Sequence, residues 1–145
     1  MRIALLFLLF LSALYSQNPP TIDEISNPDP ILEDAGLQMI SLTGIGDGDV
    51  GVTQTLTFTI TSNNTSLIPN PLLTHTANNS TGSLAYTPVS NVNGTAVITV
   101  EIEDDDGSIQ ETFTITVTPV NDAPSFINGL DITVLEDSGT STSPD

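Results

Sequence analysis

Acidic side chains are the residues of this chain best suited to chemistry, and they come in groups. Glu33-Asp34, Asp47-Gly48-Asp49, residues 101–106, Asn121-Asp122 and Glu136-Asp137 hold most of its 18 carboxylates, while residues 50–100 carry none. Arg2 is the one Lys or Arg, so almost nothing cationic is present to pair with them. Two carboxylates held about 5 Å apart repel by roughly 3 kcal/mol at an effective dielectric near 20, and by less when well solvated. A hard dication with oxygen ligands turns that repulsion into attraction, so a divalent metal is the expected neutraliser. The plainer reading is an acidic surface kept soluble by its net charge, formally −17,.

Chemistry of other kinds has little to work with. His75 is the sole histidine, and neither Cys nor Lys occurs. His75 alternates with Leu73 and Ala77 in an expected strand, where a solvent-facing position is its ordinary role. A two-carboxylate glycosidase site could be assembled from the acids. Against it, a small sandwich is expected to offer no cleft, and Tyr15, Tyr86 and 5 phenylalanines make no aromatic platform for sugars. The chain is therefore read as not an enzyme. Asn63, Asn64, Asn78, Asn79 and Asn93 each open an Asn-x-Ser/Thr triplet, a glycan acceptor in a eukaryotic secretory route and otherwise the ordinary grammar of polar loops,.

The elements that would position the acids follow from the rest of the pattern. Met1-Arg2, an apolar run over 3–14 and the small residues near Ser16 read as a secretory signal peptide over 1–16, with an uncleaved anchor as the competing reading,. The run is too short to span a bilayer. Without cysteine, an exported chain must rely on an ordinary core, on metal, or on both,. Lacking a basic patch, it should repel nucleic acid and anionic lipid, and no direct membrane insertion is expected once the leader is cleaved.

From Thr21 onward, Thr, Val and Ile alternate in short runs broken by Gly, Pro, Asn and Asp, which is strand grammar,. Leu56, Phe58 and Ile60 share one face of a strand expected over 54–61, as do Ala96, Ile98, Val100 and Ile102 in a second and Phe113, Ile115 and Val117 in a third,. Further strands are expected near 31–33, 38–43, 72–76 and 83–87. Seven strands at this spacing predict an all-β, antiparallel immunoglobulin-like Greek-key sandwich over 17–123, in preference to a jelly roll. Pro124 and Leu135-Glu136-Asp137 repeat Pro20 and Leu32-Glu33-Asp34, so 124–145 is expected to open a second, truncated module of a repeat array,.

On such a sandwich, strands running alternately down and up sort the acids by pole. Asp47, Asp49, Asp104 and Asp106 fall at the upper end; Glu33, Asp34, Asn121 and Asp122 fall at the lower end, where the chain leaves for the next module. These eight are the expected metal ligands.

The residues that do this resemble the cadherin-like repeats of large bacterial surface proteins and, more distantly, cadherin extracellular domains. Val120-Asn121-Asp122-Ala123-Pro124-Ser125-Phe126 looks like the cadherin linker, Ile45-Gly46-Asp47-Gly48-Asp49 like the paired aspartates after the second strand, Glu33 like the first-strand glutamate and Asp104 like the aspartate ending the sixth. The likeness spans about residues 20–126. It implies calcium, Ca2+, between successive modules, with Glu33, Asn121 and Asp122 of one meeting the aspartate pair of the next. Here that next pair lies beyond Asp145, and the acidic residue expected before the upper pole is missing from Asn18-Pro19-Pro20. Two departures are plain: the acidic trio after the fifth strand is replaced by an uncharged stretch over 88–94, and Pro119 stands at the linker's first aspartate. Extracellular modules of this kind bind calcium at roughly 0.1–1 mM. The implied function is a calcium-binding, rigidifying repeat of a secreted or cell-surface, adhesin-like protein. Its partners would be adjacent repeats and, outside the chain, another cell-surface protein or a polysaccharide. The alternative is a spacer, metal-free or calcium-binding, on a secreted polysaccharide-degrading enzyme.

Overall fold

A computed structural model of the chain describes residues 18–51 and 53–122. The expected leader and the expected second module lie outside the described residues. Those described form seven strands and no helix: β1 (Ile31–Leu32), β2 (Gln38–Leu42), β3 (Thr57–Ser62), β4 (Leu72–His75), β5 (Gly82–Tyr86), β6 (Gly94–Glu103) and β7 (Ser108–Thr118). One sheet has the order β1-β7-β6-β3 and the other β2-β5-β4.

Alternation decides which face of each strand is buried. In β6, Ala96, Ile98, Val100 and Ile102 are buried, and in β7 so are Phe113, Ile115 and Val117. Antiparallel register sets Ile98 opposite Phe113 and Ala96 opposite Ile115, so the two longest strands present one continuous apolar face. Leu42, Leu84 and Tyr86 meet it from the other sheet. The threonines of β3 and β7 take the alternate positions, where a branched polar side chain suits a wetted pleat.

Leu67 and Ile68 belong to no strand yet are completely buried. Amides of both donate to the carbonyl of Asn64, at 3.1 and 2.9 Å, and this turn drives the pair into the end of the sandwich from which β6 starts. The N-terminal segment pairs in two separate places. Thr21 bridges Gly46, whereas β1 runs parallel to β7, with Ile31 opposite Val117. Between them, Pro28 and Pro30 cannot donate to a ladder, and the Asn27 side chain accepts from the Thr114 amide at 2.7 Å in place of a strand,.

Expected strand positions agree with the observed ones except at β3, which begins at Thr57 and not Gln54, and the expected antiparallel pairing is corrected at β1, which runs parallel to β7. Gln54 is drawn out of the ladder because its backbone amide donates to Asp47 Oδ2 at 3.0 Å. A second correction concerns His75. It shares the inward face of Leu73, is half-buried, and its ring lies 4.9 Å from that of Phe58, so the expected solvent-facing position is not found.

Candidate acidic sites at the two poles

β2 rises into the loop over 43–56, and β6 rises into the hairpin over 104–107, so both loops meet at one pole. The hairpin is closed by its own aspartate. Asp104 Oδ1 accepts from the amides of Asp106 and Gly107, at 2.9 and 3.0 Å, and the Asp104 amide donates to the Gly107 carbonyl at 2.9 Å. This is the Asx-turn chemistry that favours Asp at such corners. Asp104 Oδ2, in contrast, is buried and accepts no hydrogen bond.

The facing loop is shaped by Gly48, whose φ of 75° suits glycine and whose missing Cβ leaves room for the carbonyl of Pro19,. That turn lets Asp47 Oδ1 take the Asp49 amide at 3.3 Å while Asp49 Oδ1 takes the Asn18 amide at 3.1 Å. Gln54 then joins the two loops. Its Nε2 donates to Asp49 Oδ2 at 2.6 Å and also to Asp106 Oδ2, and its Oε1 accepts from the Asp105 amide at 3.0 Å.

A single amide nitrogen shared by two carboxylates fixes those oxygens within about 5 Å of each other,. Asp47, Asp49, Asp104 and Asp106 are half-buried, and Asp105 is exposed. The repulsion of Asp49 and Asp106, on the order of 3 kcal/mol for such a pair before solvent screening, is met among the described residues by one shared neutral donor and no cation,. In kind, the donors fit a hard divalent ion: carboxylate oxygens from two loops, one of them buried and unpartnered,. In spacing they are not closed around a point, for the Gln54 amide stands between Asp49 and Asp106, and among the described residues no three His, Cys, Asp or Glu side chains form a metal-holding group.

The lower pole is built differently. Glu33 is the one buried charged residue among those described, 4 % exposed. Its Oε1 accepts from the Val120 amide at 2.7 Å, its Oε2 lies 3.4 Å from Asn93 Nδ2, and its own amide donates to the Thr118 carbonyl at 3.0 Å. The carboxylate thereby ties the chain's exit from β7 to the end of β1. Asp34, Asn121 and Asp122 lie near it in the fold, but their described bonds do not reach Glu33, and Asn121 and Asp122 are exposed.

Of the eight residues expected as ligands, Asp47, Asp49, Asp104 and Asp106 are brought together; Glu33 is placed at the other pole with its oxygens spent on the chain itself. Sequence reasoning missed Gln54 and Asn93. Gln54 carried a faint signal, being the first amide after the acidic loop and next to the strand alternation; Asn93 carried none beyond its glycan triplet. Four of the five triplet asparagines have side chains bonded within the fold: Asn63 Oδ1 accepts from Val97, Asn64 Nδ2 donates to Thr95, Asn79 Oδ1 accepts from Thr81, and Asn93 Nδ2 reaches Glu33.

The expectation of no cleft is also corrected. A cleft of about 700 Å³ opens between β3 and β4, floored by Leu56, Phe58 and Leu73 and reaching Asp47 and Gln54 at the acidic pole.

No protein-family model matches the chain, and no curated protein matches it. Among solved structures, the chain is similar to a Dscam1 Ig7 domain, isoform 5, at 21 % identity and a TM-score of 0.46, covering 69 % of this chain and 97 % of that one. It is similar also to the ZirS C-terminal domain, at 12 % identity and a TM-score of 0.44, covering 81 % and 78 %. Likenesses this distant do not bear on activity, ligand or partner.

Proposed function

We propose that the chain is a non-catalytic, calcium-binding module of a secreted or cell-surface adhesin-like protein, an immunoglobulin-like Greek-key sandwich of the cadherin-like kind whose acidic poles take calcium and stiffen the junctions between repeats. The observation that carries this reading is the upper pole: a buried Asp104 oxygen without a partner, in the same hairpin as Asp106, whose carboxylate shares one neutral amide with Asp49. Asp47, Asp49, Asp104 and Asp106 would hold the ion. Calcium supplies the positive charge that the polypeptide lacks, and it tolerates the irregular oxygen shell that two loops provide. At the lower pole, Glu33 organises the exit strand, and Asp34, Asn121 and Asp122 remain exposed for a following module. Crosslinking two modules by an ion suppresses bending at a linker that is otherwise loose.

The test is a thermal melt in calcium chloride against sodium chloride at matched ionic strength, since any salt screens the self-repulsion of so acidic a chain. For an affinity of about 1 mM, calcium at about 10 mM contributes about 1.4 kcal/mol. In a domain of this size that is a rise of roughly 5–10 °C. Asp47→Ala/Asp49→Ala should abolish the increment; an unchanged melt in the unsubstituted protein leaves only an acidic spacer.

A further inference from the structure

The cleft between β3 and β4 lies on the open side of the sandwich, where neither strand has an outer neighbour. We propose that it binds an uncharged saccharide, one or two rings of a neutral polysaccharide. This names an outside partner for the module and goes beyond the calcium reading, on which it does not depend.

Its volume, about 700 Å³, falls within the range of roughly 300–1,000 Å³ typical of small-molecule sites. The floor is apolar, with Phe58 and His75 in ring contact at 4.9 Å and tilted by 46°. Such a surface takes the C–H faces of a sugar ring by burial and dispersion and does not require a flat stacking platform.

The rim supplies directional groups of both kinds. His75 Nε2 donates to the Asn79 carbonyl at 2.8 Å, so Nδ1 is the ring nitrogen that can face a ligand,. Asn79 Oδ1 accepts from Thr81 at 3.2 Å, which leaves its amide hydrogens for a ligand. Asn78, Thr53 and Thr55 are exposed at the margin. Paired donors and acceptors without a cation match vicinal hydroxyls.

Charge excludes the nearest competitors. Neither Lys nor Arg lines the cleft, and the chain's net charge is −17, so uronates, phosphates and sulfated sugars are repelled,. An amine would be drawn to acids at both poles and not to the cleft in particular.

The test uses the one histidine as a reporter, because its ring signals are unambiguous in a chain with a single His. Cellotetraose and mannotetraose, each at about 10 mM, where even a millimolar ligand is mostly bound, are titrated against the protein in EDTA while the His75 ring resonances are followed by NMR. Tetragalacturonate and spermine serve as the anionic and cationic probes. At least one neutral tetraose is expected to shift His75 saturably, and exposed Thr55→Trp, which fills the mouth without entering the core, should weaken it by about tenfold or more. The proposal is overturned if neither neutral sugar moves His75, if Thr55→Trp leaves the shift intact, or if only the charged probes act. Asp49→Asn/Asp106→Asn, outside the cleft lining, should keep sugar binding while losing the calcium-dependent melt. Failure of calcium binding is thus read separately from failure of sugar binding.

Discussion

At the scale of single residues, Gln54 is the position on which the acidic pole turns. Among the described residues its amide is the only side-chain donor given to Asp49 and Asp106, and its carbonyl holds Asp105. Gln54→Glu removes the donor and adds a further carboxylate, so two acceptors lose their partner in a half-buried place. The expected cost is about 1–3 kcal/mol in EDTA. With calcium present the loss should shrink or reverse, since the new oxygen is another hard ligand. Urea unfolding in the two conditions checks both parts. Glu33 makes the opposite case: its carboxylate is satisfied within the fold by the Val120 amide, so Glu33→Ala should cost about 1–3 kcal/mol with or without calcium,. A calcium-dependent cost there would mean that the ion, and not the exit strand, is what Glu33 serves. Tyr86 is 4 % exposed, and burial raises the pKa of its hydroxyl above the ordinary 10.0 because the phenolate is disfavoured away from water,. The unfolded chain therefore loses that proton first. Stability is intact below pH 10 and declines as pH rises through the folded value. Tyr86→Phe should flatten that alkaline decline in melts recorded as pH is raised above about 10.

At the scale of elements, legibility follows from whether a pattern is local. Period-two alternation in β6 and β7 is written in the chain because each inward residue must be apolar whatever it packs against, and Ala96 to Ile102 and Phe113 to Val117 are buried as the alternation requires. Leu67 and Ile68 were not legible, since a turn, and not a periodicity, carries them into the core. The start of β3 was misplaced for a related reason: Gln54 has the spacing of a strand residue, but bonds to residues 47, 49, 105 and 106 outweigh it. The convergence of Asp47, Asp49, Asp104 and Asp106 on one pole was readable from strand direction alone. Their arrangement around one amide was not, because it depends on side-chain rotamers. His75 was misread despite a correct alternation, the shared face with Leu73 being the inward one. The buried turn makes its own prediction. Leu67→Ala opens a cavity under the end of the sandwich and should cost about 2–5 kcal/mol in urea unfolding, as much as a core-strand leucine.

At the scale of the whole molecule, 18 carboxylates with no Lys or Arg beyond Arg2 make two effects easy to confuse. Any salt stabilises such a chain by screening its self-repulsion, since charges farther apart than the Debye length, about 10 Å at 0.1 M, cease to interact. Calcium chloride does this too, so a rise in melting temperature with calcium alone does not identify a site. The two separate at matched ionic strength. Screening depends on ionic strength and ignores which acids are present, so sodium chloride raises the melt of the unsubstituted protein and of Asp47→Ala/Asp49→Ala by similar amounts. A site at the upper pole depends on those two residues and on a cation that accepts an irregular oxygen shell. Magnesium, which demands near-octahedral geometry and gives up water reluctantly, should then fall short of calcium at equal concentration. The expected result is a calcium increment of several degrees over ionic-strength-matched sodium, a smaller one for magnesium, and none for the double variant. If calcium and sodium curves superimpose once ionic strength is matched, the poles are solvated surface, and the net charge alone accounts for the response to salt.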